Sequence, residues 1–117
     1  MLEELALSSQ IDPSRPMIAL TFDDGPKAFV TNRILDSLQA NGGRATFFMV
    51  GSSVNSNVEV IQRMVSQGCE VANHTHDHKY LTKIGAQGIL SQVAPPARRS
   101  RLPAVFRRFL CARRAVT

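Results

Sequence analysis

Tryptophan is absent from this 117-residue chain, tyrosine occurs once and cysteine only twice. Cys69 and Cys111 are too few for the disulfide framework that staples small secreted domains. Cys69 stands in an apolar context and reads as a small core residue, whereas Cys111 lies among arginines with no partner in the pattern. Long apolar runs are missing too: none approaches the ~20 residues a membrane helix needs. The opening Met1-Leu2-Glu3-Glu4 is acidic and has neither the basic segment nor the apolar stretch of a secretory signal. Acids are missing from residues 94–117, which carry seven arginines, at 98, 99, 101, 107, 108, 113 and 114. Taking these from the 14 Lys+Arg leaves seven against nine Asp+Glu in residues 1–93, so the whole net charge of +5 comes from the tail. The body has no basic patch of the kind nucleic-acid binding requires.

The composition that remains, 44% hydrophobic and 20% charged, is ordinary for a globular domain, and the length suits one domain with a core. Residues 1–16 form a polar lead-in closing on Asp12-Pro13-Ser14-Arg15-Pro16, a turn-rich punctuation. Met17 to Phe22 is continuously apolar apart from Thr21, which predicts a short strand covered on both faces, running into a turn at Asp23-Asp24-Gly25-Pro26. Val30, Ile34, Leu35 and Leu38 fall at helical spacing, ended by Asn41-Gly42-Gly43. Ala45 to Val50 reads as a second buried strand stopped by Gly51. Ser56 and Glu59 stand at capping-box spacing before a helix that would bury Val58, Ile61, Met64 and Val65, with Gly68 as its C-terminal cap. Residues 69–72 make a third strand that enters Asn73-His74-Thr75-His76-Asp77-His78, and residues 82–93 suit a further helix weakened by Gly85 and Gly88. This β-α-β-α-β order predicts an α/β fold with a parallel sheet. Both polar clusters then fall at strand C-terminal ends, where parallel α/β folds assemble their sites.

His74 and His78 are four apart, so on a helical turn their rings would project from one side and could share a cation. His76 would lie on the other side, as a packing residue or a support. The competing reading of three histidines in five residues is chance or a solvated polar loop. Asp-Asp-Gly-Pro is likewise an ordinary turn sequence. Two carboxylates ending an apolar strand nevertheless call for compensation, which a cation supplies. One of them could bind the ion while the other accepts a proton from water. One Asp and two His make a three-ligand set with open positions, which suits a catalytic metal rather than a closed structural one. The reaction class that follows is hydrolysis of an amide or ester.

Thr21-Phe22-Asp23-Asp24-Gly25-Pro26 resembles the first motif of the NodB-homology polysaccharide deacetylases, a carbohydrate esterase family. Asn73-His74-Thr75-His76-Asp77-His78 resembles the second, H-[ST]-x-x-H. Arg44 to Phe48 and Glu70 to Thr75 also resemble the family, and the similarity runs from about Ile11 to about Leu90. The resemblance implies a distorted (β/α) barrel, here a partial one, that removes acetyl groups from N-acetylated polysaccharides such as peptidoglycan or chitin. It implies Asp23 as general base and Asp24, His74 and His78 as ligands of a divalent metal, zinc by default, with Thr75 supporting the histidine loop. No role carries over to His76. The family acts on cell-wall material outside the membrane.

The third family motif has only a faint echo in Arg101-Leu102-Pro103-Ala104-Val105-Phe106, with Val105 where glycine belongs. The division expected is therefore a lead-in (1–16), a partial deacetylase domain (17–93) and a basic tail (94–117) that is not family sequence, as an out-of-frame reading of GC-rich DNA would produce. The alternative is a genuine tail, solvated or binding nucleic acid or another anionic surface, or an amphipathic basic helix through Val105, Phe106, Phe109 and Leu110. Membrane association through it is not the expectation. With the later motifs missing, the expected outcomes are a truncated, impaired hydrolase or a metal-binding fragment without turnover.

Overall fold

The computed structural model describes residue 12 and residues 14–93. The expectations for residues 1–11 and for the tail, including the third-motif echo and the basic helix, lie outside the described residues. Three parallel strands, β1 (Thr21–Gly25), β2 (Thr46–Met49) and β3 (Glu70–Asn73), form one sheet in the order β1-β2-β3. Helix α1 (Ala28–Ala40) joins the first two strands. A short helix α2 (Gly51–Val54) and then α3 (Val58–Ser66) join the second to the third. A 3-10 turn (Leu81–Lys83) and helix α4 (Ala86–Val93) follow.

Alternation along β2 explains the layering. Phe47 and Met49 are buried with Leu35 and Leu38 of α1, Val54 of α2 and Val60, Ile61 and Met64 of α3, while Thr46 and Phe48 between them are only half-buried. Both long helices therefore cover the same face. Leu35, Ile61 and Met64 are sealed from solvent, and burying each such side chain stabilises the fold by about 1.5–3 kcal/mol. Arg63 on α3 ties the two helices together through Asn32 and Asp36 on α1.

Both helix ends close as the glycines predict. After α3 the Cys69 amide donates to the Met64 carbonyl and the Gly68 amide to that of Val65, with Gly68 at φ +75°. After α1 the Gly43 and Gly42 amides donate to Leu38 and Gln39, with Gly42 at φ +63°. These paired bonds satisfy carbonyls that would otherwise be orphaned and need a left-handed residue at that one position.

Five expectations need correction. The first strand is not Met17 to Phe22: Met17, Ile18 and Leu20 are exposed, and pairing starts where the Thr46 amide reaches the Leu20 carbonyl. Strand β1 is an edge strand, and no described element covers its outer side. The Asp23-Asp24-Gly25 turn is instead the end of that strand. The capping box does not form, since α3 starts after Asn57 with no side-chain cap. Its buried face is Val60, Ile61 and Met64, with Val65 exposed and Val58 half-buried. Finally, the 82–93 helix is interrupted at Ile84-Gly85, where the chain leaves the 3-10 turn in extended backbone.

Candidate functional site

Opposite the pair Phe22↔Phe47 and Gly25↔Met49, strand β1 spends one more residue than β2, so Asp23-Asp24 form a bulge. Asp24 sits at φ +67°, a left-handed conformation that aspartate tolerates better than most residues. The bulge turns Asp24 out of the pleat at the C-terminal edge of the sheet. Two strands away, His74 is the first residue after β3, held there by its amide bonding to the Met49 carbonyl.

The segment 74–78 is not the helical turn its spacing predicts. Thr75 and His78 adopt φ +66° and +56°, and these two left-handed residues fold the loop back on itself. Among the described residues, the non-glycine positions with positive φ are Asp24, Thr75 and His78, all at this one place. For β-branched Thr75 that conformation costs energy, and clustering of such strain is typical of functional sites.

The result is a near-equilateral triangle of donor atoms. Asp24 Oδ1 lies 3.1 Å from His74 Nε2 and 3.0 Å from His78 Nε2, and the two Nε2 atoms are 3.1 Å apart. Hydrogen bonding alone leaves this arrangement poorly matched, because two facing imidazole nitrogens can share only one proton between them. A cation uses all three lone pairs. Separations of this size are what three ligands about 2.0–2.1 Å from one ion show at angles near ~95°, so the donor set fits a divalent metal. Asp24 and His78 are more than half exposed, which leaves one side of the triangle open. That same exposure corrects one premise: the aspartates do not press on a low-dielectric wall, and convergence with the histidines is what singles Asp24 out.

Asp23 is exposed on the same bulge, and its carboxylate has no hydrogen-bond or ion-pair partner among the described residues. Thr75 supports the loop through its backbone: its amide donates to Asn73 Oδ1 and its carbonyl accepts from the Gly51 amide. Its hydroxyl is buried without a partner among the described residues. His76 stays out of the triangle and packs on Gly51, where a Cβ would stand 2.8 Å from its Nδ1. Sequence reasoning missed Gly51 and α2, whose first two amides donate to the carbonyls of Thr75 and His76. It also missed Asn73, Asp77 and Gln92, which tie the loop to α4. Asn73 stood in the family-like segment and could have been flagged; Gln92 gave no signal.

Known proteins resemble this chain over most of its described length. Residues 10–98 match the family model described as polysaccharide deacetylase. The chain is 47% identical over 83 residues to the peptidoglycan-N-acetylmuramic acid deacetylase PdaC of Bacillus subtilis, covering 71% of this chain and 18% of that protein. It is 45% identical over 76 residues to the peptidoglycan-N-acetylglucosamine deacetylase PgdA of Listeria monocytogenes, covering 65% of this chain and 16% of that protein. The solved PdaC structure superimposes with a TM-score of 0.70 over 73% of this chain and 42% of that one, at 46% identity. A family 4 acetyl xylan esterase from Clostridium thermocellum, solved with a cobalt ion, gives 0.64 at 40% identity over 66% of this chain and 38% of that one. The chain thus spans less than half of each of these relatives, and its three-stranded sheet with helices matches part of their (β/α) barrel.

Proposed function

The chain belongs to the polysaccharide deacetylase family, and from that premise we propose that its site serves metal-dependent removal of acetyl groups from an N-acetylated glycan such as peptidoglycan or chitin. The observation that carries this reading is the 3.0–3.1 Å convergence of Asp24, His74 and His78 at the C-terminal edge of a parallel sheet. These three residues would hold a divalent ion, zinc in the first instance. Such an ion, when bound, supplies Lewis acidity that makes water more acidic and polarises a carbonyl. Asp23, on the same bulge with a carboxylate unpaired among the described residues, would accept the proton of the attacking water. The open side of the triangle leaves room for the acetamido group of a sugar.

A second reading, a metal-binding piece without turnover, is favoured by the exposed Met17, Ile18 and Leu20 that lead into β1. Residues 17–93 are proposed as the deacetylase part and 94–117 as lying outside it. Acetate release from an N-acetylglucosamine oligomer separates the two. Release that is lost with a chelator and with Asp23→Asn supports the hydrolase. Zinc binding by calorimetry with no acetate released supports the second reading, and no zinc binding at all removes both.

A further inference from the structure

We infer that Gln92, on the last turn of α4, is the positioning residue that sets the spacing of the two histidines; this rests on reading them as metal ligands. Gln92 is one of only two buried polar residues among those described, at 4% exposure. Its surroundings on α4 do not explain that burial, since Ala86, Gln87, Leu90 and Ser91 are exposed and Ile89 is half-buried. Both ends of its amide are spent on a single residue. The Asp77 amide donates to Gln92 Oε1 at 2.8 Å, and Gln92 Nε2 donates to Asp77 Oδ2 at 2.9 Å. This two-point grip fixes the backbone and the side chain of Asp77 together.

Asp77 immediately precedes His78, which is held at φ +56°. One residue along α4, the Val93 carbonyl accepts from Asn73 Nδ2 at 3.1 Å, and Asn73 immediately precedes His74. A single helical turn therefore grips the residue before each histidine. The other contacts of the Asp77 carboxylate, to His76 at 3.8 Å and Lys79 at 4.0 Å, are long and exposed and contribute little. With the grip removed, His78 is free to relax to the commoner right-handed region, which moves its ring away from His74 and Asp24. Groups that orient metal ligands from behind typically change metal affinity by about 10–100-fold.

The test titrates Co²⁺ into the full chain, reading affinity and the visible absorption of the bound ion, which reports coordination geometry. Gln92→Leu keeps the side-chain volume and removes both bonds. The expected result is affinity weakened about ten-fold with an altered absorption band, while far-UV circular dichroism stays that of the wild type. Gln92→Glu keeps the acceptor but sets two carboxylates face to face, and should weaken binding similarly. Adding Asp77→Asn restores a donor opposite the introduced carboxylate and should bring affinity back to within about two-fold. That rescue is readable even if Gln92→Leu fails to fold, and a purely structural role would not produce it. Wild-type affinity and spectrum in both Gln92 variants, or no rescue in a folded double variant, overturns the proposal. If the wild type binds no Co²⁺, or His74→Ala/His78→Ala binds it equally well, the ligand assignment itself falls and this role falls with it.

Discussion

The two strand ends that meet at the site are held in opposite ways. The histidine end of β3 is gripped from two sides, by the first amides of α2 and by Gln92 and Val93 of α4. The aspartate end of β1 has one neighbour, β2, and beyond it the apolar residues Met17, Ile18 and Leu20 stand exposed. Local contacts within about forty residues are thus enough to preorganise the imidazole pair. The carboxylate is delivered by a single irregularity in an edge strand. The difference is one of autonomy: the histidine half of the site is tied down by two helices, whereas the aspartate half has β2 as its one strand partner among the described residues.

Substitutions put that contrast to the test. The largest effect is expected from His74→Ala/His78→Ala, which should reduce zinc affinity by at least about a thousand-fold, since only one of three protein ligands remains; calorimetry reads it directly, and a site elsewhere would leave affinity untouched. Met64→Ala, deep under the sheet, should cost about 2–5 kcal/mol in urea unfolding. Gly51→Ala places a methyl 2.8 Å from His76 Nδ1 and 3.2 Å from its Cα. Because the second clash is with backbone, a loss of about 1–3 kcal/mol is expected, together with weaker metal binding as the loop shifts. Thr75→Gly should act in the opposite direction and raise stability by roughly 1 kcal/mol, because glycine adopts left-handed backbone freely and the hydroxyl without a described partner is removed with nothing polar in its place. An unchanged urea midpoint would show that Thr75 carries no such strain. The smallest effect belongs to the exposed edge: Ile18→Ser should shift stability by less than about 0.5 kcal/mol. A larger loss would mean that this edge is covered in solution.

Much of the fold was legible because periodicity and punctuation agreed. Leu35, Leu38, Ile61 and Met64 lie on helical faces that became the core, and the glycines at 42 and 68 end their helices as expected. The trio Asp24, His74 and His78 was legible as residue types at strand ends, not as geometry. The helical turn inferred from the four-residue spacing gave the right partners for the wrong reason, because two left-handed residues can close the same distance. The first strand was misplaced because apolarity alone cannot distinguish a covered strand from an uncovered lead-in such as Met17-Ile18. Gln92 was illegible for a similar reason: its contact with Asp77 spans fifteen residues, and no local pattern encodes it.

The extra residue in β1 has an uncomfortable implication for anyone wishing to tidy this sheet. Deleting either Asp23 or Asp24 would let the strand run in even step with β2, and the more regular ladder should form at least as readily. The surviving carboxylate would then follow the ordinary alternation of a flat strand instead of leaning over the neighbouring strand's end. Sturdiness and convergence would part company at a single codon, the neater molecule being the one whose three donor atoms no longer meet.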